Sequence, residues 1–142
     1  MAEITHSFST RRGRHFGNAT IEILKDGDPF WEDLPGAKDH FRFGVEKAIL
    51  ILSCMREIKQ FFDSERYKSV SPKRTEIDNR IWRRSFDLFL HSGFKRGDVW
   101  IDRPYLEIRG DKNIAFGRLK AEAIILLEKE LERFVIDNYK AD

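Results

Sequence analysis

The chain has 142 residues, of which 41% are hydrophobic and 35% charged, and its net charge is +2. These values describe a folded chain with material for one core, and exclude both a disordered polymer and two ordinary independent domains. The longest apolar run, Ala48 to Leu52, falls far short of the roughly 20 residues a membrane helix needs. A lone cysteine, Cys54, offers no internal disulfide and fits a reducing compartment. The opening MAEITHSFSTRR has no apolar stretch of the secretory kind, so a cytoplasmic protein without a membrane partner is expected.

Unit one is expected over residues 4–62. Thr5 to Thr10 reads as a strand, "RRGR" at Arg11 to Arg14 as a turn, and "ATIEIL" as a half-buried strand by its alternation. "KDGD", Lys25 to Asp28, is a hairpin signal, because Asp-Gly supplies the positive φ a tight turn needs. "PFWEDL" reads as the returning strand and "HFRF", His40 to Phe43, as another. A helix follows, with a broad apolar face made by Val45, Ala48, Leu52, Met55 and Phe62 and widened by Ile51, Ile58 and Phe61. Residues 63–75 are polar, contain a proline and read as a linker.

Unit two is expected over residues 76–138. "IWRRSFDLFL" reads as a strand, Gly93 to Gly97 as a turn, "VWID", "YLEI" and "IAF" as strands, and the segment after Gly117 as a second broad-faced helix. Width on both helices predicts burial on two sides, against a sheet and against the other helix.

The two helical segments repeat each other. At an offset of 73, Phe43, Gly44, Lys47, Ala48, Ile51, Glu57 and Phe61 recur as Phe116, Gly117, Lys120, Ala121, Ile124, Glu130 and Phe134. Upstream the offset is 85: His6-Ser7 matches His91-Ser92, and Glu22-Ile23 matches Glu107-Ile108. The stretch from Phe30 to His40 accounts for the difference and belongs to the first unit alone. The expected fold is α+β: two tandem β-β-β-β-α repeats forming one domain, residues 1–142, with pseudo-twofold symmetry. Gly44 and Gly117 are expected to allow a sharp strand-to-helix turn through dihedrals closed to other residues.

Charge is clustered. Between Arg66 and Arg96 nine basic residues face three acids, Glu76, Asp78 and Asp87, and "RRGR" adds a second basic knot. Aromatic residues interleave with it: Arg11, Arg12 and Arg14 precede Phe16; Trp82 adjoins Arg83 and Arg84; Lys95 and Arg96 precede Trp100, and Tyr105 follows. Single-strand binders combine cations for the backbone with ring faces on which bases stack. The candidate contact residues are therefore Arg11, Arg12, Arg14, Phe16, Arg83, Lys95, Arg96, Trp100 and Tyr105. The competing role for each ring is core filling, and alternation puts Phe86 in the core with Leu88 and Leu90, with Arg83 on the solvent side. Phe30 and Trp31 could form an exposed stacking pair or a dimer contact, or plug a sheet end.

A doubled strand-and-helix unit with basic, aromatic-bearing strands before "RFGVEKAILIL" and "AFGRLKAEAIIL" resembles the PUR and Whirly group of single-stranded nucleic-acid-binding proteins. The resemblance implies curved sheets binding single-stranded DNA or RNA on the face away from the helices. It also implies a homodimer or higher homo-oligomer.

Catalytic signatures are absent from the sequence. The four histidines (His6, His15, His40, His91) lack close ligand spacing, so no metal is expected. Glu22, Lys25, Asp26 and Glu32 lie near a hairpin, but their spacing matches no nuclease motif. No glycine-rich loop of the Walker or dinucleotide type occurs, and no cofactor is expected. The expected function is non-enzymatic single-strand binding. The alternative is a protein-interaction or oligomeric assembly module in which nucleic acid has no part.

Overall fold

A computed structural model describes residues 7–30, 32, 34, 40–64, 75–76, 85–110 and 112–139. Among them the chain is mixed α+β, with antiparallel sheets and four helical segments.

The first strands are β1 (Phe8–His15) and β2 (Asn18–Lys25), which pair from Phe8↔Lys25 to His15↔Asn18. That register corrects the expected turn at Arg11 to Arg14. These residues continue β1, because none of them takes a positive φ, and the turn falls at Phe16 (φ 49°) and Gly17 (φ 81°). Two successive positive φ values make the two-residue turn whose twist matches its strands. The Asp-Gly expectation holds: Asp26 (φ 52°) and Gly27 (φ 86°) reverse the chain into β3 (Asp28–Pro29). Asp26 Oδ1 accepts from the Ser7 backbone N–H at 2.9 Å, and the Asp26 N–H donates to Ser7 O at 2.7 Å, which ties the β1–β2 hairpin together at its base.

The returning strand stops at Pro29, earlier than "PFWEDL" suggested. Trp31 lies outside the described residues. The chain rejoins the sheet as β4 (Arg42–Gly44), which pairs with β2 through Ile21↔Phe43.

The first helix comprises α1 (Val45–Ser53) and α2 (Met55–Ser64), interrupted at Cys54 (φ −112°, ψ 13°). The second comprises α3 (Arg118–Leu126) and α4 (Glu128–Asn138), interrupted at Leu127 (φ −107°, ψ 17°). The two breaks are 73 residues apart, the offset read from the sequence. Helix α1 lies beside α4 and α2 beside α3, so the two long helices run antiparallel. Four consecutive residues of α1, Ala48 to Ile51, are buried, as two-sided packing requires. Burial also pushes the Cys54 thiol well up, with the Glu57 charge adding to it, so the thiol is inert packing.

The second sheet runs β10 (Asn113–Phe116), β9 (Tyr105–Arg109), β6 (Ser85–His91), β5 (Thr75–Glu76). Phe86, Leu88 and Leu90 are buried on β6, as alternation predicted. Residues 81–84, with Trp82, Arg83 and Arg84, lie outside the described residues. Leu106↔Phe116 in this sheet matches Ile21↔Phe43 in the first at offsets of 85 and 73. The His-Ser match does not carry over. Ser7 precedes β1, whereas His91 closes β6, the strand that pairs with β9 as β1 pairs with β2. Two identical residues are too few to set a strand register.

Between β6 and β9 the second sheet carries an extra hairpin, β7 (Phe94–Arg96) and β8 (Val99–Ile101), turning at Gly97 (φ 64°). The expected turn over Gly93 to Gly97 thus contains a strand. One core cluster draws on the inner faces of both sheets and on all four helical segments.

The two strand-to-helix glycines differ in their reason for being glycine. Neither has positive φ: Gly44 is at −94° and Gly117 at −89°, which corrects the expectation of special dihedrals. A Cβ on Gly117 would come within 2.1 Å of Glu32 Oε2, whereas one on Gly44 meets only the Ala19 carbonyl at 3.6 Å. Gly117→Ala is expected to cost about 2 kcal/mol by displacing the Glu32 carboxylate, which accepts from the Gly117 and Lys120 N–H groups at the start of α3. Gly44→Ala is expected to be neutral or stabilising by up to about 1 kcal/mol through the unfolded chain. Urea unfolding of the two variants tests the contrast.

Candidate nucleic-acid interface

Among the described candidates, Arg11, Arg12, Arg14, Phe16, Lys95, Arg96 and Trp100 lie on two hairpin arms. The first is the β1–β2 arm, whose outer part from Arg11 to Asn18 is exposed. At its tip Phe16 is 92% exposed, and its ring makes an edge-type contact with His15 at 4.3 Å between centroids. Arg11 pairs with the carboxylate of Glu22, and His40 Nδ1 lies 3.8 Å from the other oxygen of that group. Arg12 binds Asp137 of α4 at 2.9 Å, and its guanidinium lies 5.7 Å from the Phe134 ring centre. Arg14 folds over the turn and donates to Gly17 O at 3.0 Å. The Arg12–Asp137 pair is exposed on both sides, so it is worth about 0–1 kcal/mol and exchanges readily for other anions, whereas Arg11 is tied to a buried carboxylate.

The second arm is β7–β8. Lys95 and Trp100 are cross-strand partners on its outward side. Trp100 is 52% exposed and its neighbour Val99 61%. Arg96 is exposed and lies 5.6 Å from the Phe94 ring centre. Gly93 makes room for this arrangement, because a Cβ there would meet Ile101 O at 2.4 Å and the Trp100 ring at 2.7 Å.

The inward side of this arm forms a small second core. Phe94, Tyr105 and Leu34 are buried together, with Ile101 and Ala115 against them. Ala115 and Tyr105 face away from the helices, as do their sheet neighbours Glu107 and His91. The hairpin therefore covers part of the very face that the family resemblance leaves open. Tyr105 is only 7% exposed, one ring face stacked on His91 at 4.4 Å, so it supports the arm and offers no free platform. Phe30 is likewise buried, against Phe8 and Phe41 at 5.9 and 6.0 Å, and of its three alternatives takes the plug.

The acids near the first hairpin do not converge. Glu22 holds Arg11, Asp26 holds Ser7, and Glu32 reaches the start of α3. Glu32 Oε1 accepts from the N–H groups of Gly117 at 2.9 Å and Lys120 at 2.8 Å, and Oε2 from Leu119 at 3.3 Å. Burial pushes the Glu32 carboxyl up, against these hydrogen bonds and the Lys120 charge, which pull it down. Lys120 is buried too, its ammonium 5.0 Å from the Phe41 ring centre, and burial pushes its pKa down against the attraction of Glu32. Sequence reasoning missed this pair. The available signal was a lysine inside an apolar helix face, which demands a partner without saying where it lies.

Also missed was Glu107, which binds His91 at 2.8 Å and Arg109 at 3.0 Å. Burial raises its carboxyl, but hydrogen bonds and charge from Arg109 and His91 outweigh that and leave it lowered. A lowered carboxylate contributes stability above the ordinary carboxylate range and loses it as pH falls through its folded value. Glu107→Gln is therefore expected to flatten the acid limb of the stability curve below the ordinary carboxylate range. Unfolding followed at a series of acid pH values checks this.

Among the described residues no group of His, Cys, Asp or Glu is placed to hold a metal ion, and no helix is long and apolar enough to cross a membrane. Comparison with protein-family models, curated proteins and solved structures finds no match for this chain.

Proposed function

We propose that this protein binds single-stranded DNA or RNA without catalysing a reaction, and that the β1–β2 and β7–β8 arms make the contacts. Phe16 carries this reading. A bulky residue at positive φ is unfavourable, and an aromatic ring in water forgoes the burial that offsets such costs elsewhere. Nothing in the core is gained in return, so the benefit belongs to a partner. In this reading Arg11, Arg12 and Arg14 on the arm that carries Phe16 meet phosphates, and Lys95 and Arg96 do so on the arm that carries Trp100. In the same reading the two halves are tandem copies about a pseudo-twofold axis, with the β7–β8 arm and the Phe30 to His40 insert added to one copy each.

Fluorescence anisotropy with labelled single strands at low salt tests it. Binding with little sequence preference is expected, with log K falling against log salt at a slope of about −0.7 per phosphate contact. No binding at protein concentrations of about 10–100 μM, the usual non-specific range, sinks the proposal.

One observation favours assembly instead. Among the described residues β1 pairs with a strand on one side only, and an unpaired strand edge is a template for another chain. A homo-oligomer built through that edge would show in solution mass, and would be indifferent to oligonucleotide.

A further inference from the structure

The insert unique to the first half places three alternate residues in three different parts of the molecule. Phe30 fills the first sheet's end of the main core. Glu32 caps the N-terminus of α3. Leu34, 1% exposed, packs under the second arm against Phe94 and Tyr105. We infer that Glu32 and Leu34 are positioning residues for the β7–β8 arm, fastening its inward side so that Lys95 and Trp100 face outward.

The geometry gives each residue a distinct task. A short two-stranded hairpin is marginally stable by itself, so its pose depends on what its apolar side rests upon. Here that support is Leu34 from below, with Ala115 and Tyr105 of the sheet beside it. Leu34 reaches the place because Glu32, two residues earlier, is held by three backbone N–H groups at the start of α3. The insert thus couples the start of α3 to the arm. The binding consequence rests on the nucleic-acid reading above; the fastening itself does not.

Hydrogen exchange on the full chain separates the two. Leu34→Ala is expected to speed exchange of the Phe94 to Ile101 amides by about tenfold or more, while α1 and β1–β2 amides stay as in the parent. Leu34→Val, which keeps the fold with a smaller deletion, is expected to move the same amides less. Glu32→Gln is expected to expose the Gly117 and Lys120 amides and the arm together. Unchanged arm amides in Leu34→Ala, or acceleration spread evenly over the molecule, overturns the inference, as does a Glu32→Gln response confined to α3. Where the parent binds oligonucleotide, Leu34→Ala and Trp100→Ala are each expected to weaken binding, and the double variant to lose no more than the worse single one, because both act through one arm. Additive losses overturn it. A parent that binds nothing condemns the nucleic-acid reading and leaves the exchange result to judge the fastening.

Discussion

Glu32→Ala lowers stability by about 3 kcal/mol, because it takes the acceptor from a helix start and the attracting charge from a buried lysine. Three backbone donors at the start of α3 lose their acceptor, and Lys120 is left as a buried charge with no counter-ion at that position. The damage follows more from the orphaned partners than from the lost attraction. Hence adding Lys120→Met to Glu32→Ala restores part of the loss, and chemical denaturation of the single and double variants measures how much. Burial favours the neutral form of both groups, with opposite consequences for pH dependence. A carboxyl raised by burial favours folding when protonated, so that contribution is full at acid pH and disappears as pH rises through the folded value. A lysine lowered by burial favours folding when neutral, so its contribution disappears as pH falls through its folded value. Burial thus burdens the charged form of each group, and for Glu32 the backbone donors of the helix cap offset part of that burden. Acidification relieves Glu32, in contrast with Glu107.

Phe16→Asn changes stability and binding in opposite directions. Asn-Gly is the preferred pair for a two-residue turn with both φ values positive, so the variant is more stable by about 0.5–1 kcal/mol. It also removes a stacking face worth roughly 1–3 kcal/mol per base, which weakens oligonucleotide binding about 5- to 150-fold. A ring kept for the fold would give the same sign in both measurements. Thermal melting and anisotropy on one protein sample decide between them. Unchanged affinity removes Phe16 from the interface and with it the main support for arm one.

Much of the architecture was legible beforehand. Helix faces, the Asp26-Gly27 turn and the β6 core residues all follow from short periods and local dihedral demands, which a sequence displays directly. The breaks at Cys54 and Leu127 are not expected from sequence, since each unit reads as having one continuous helix, although they too are 73 residues apart. The candidate site was legible only in part. Arg11, Arg12, Arg14, Phe16, Lys95, Arg96 and Trp100 are on exposed arms, while Tyr105 and Phe30 are buried. The sequence separates these two groups poorly, because an aromatic next to a cation has the same pattern in a core as on a tip. The "RRGR" segment misled for a related reason: glycine permits a turn but does not require one, and Gly13 sits in a strand across from Thr20.

By itself the sequence determined an α+β chain with antiparallel strands and broad-faced helices. Those properties arise from neighbours within a few residues. Tertiary structure alone decided that Glu32 would cap a helix whose N-cap residue lies 85 residues later, that Gly117 must be glycine to admit it, and that Leu34 would support the β7–β8 arm. Contacts of that kind have no period and no local signature. They exist only once two distant surfaces have been brought together by burial of the core.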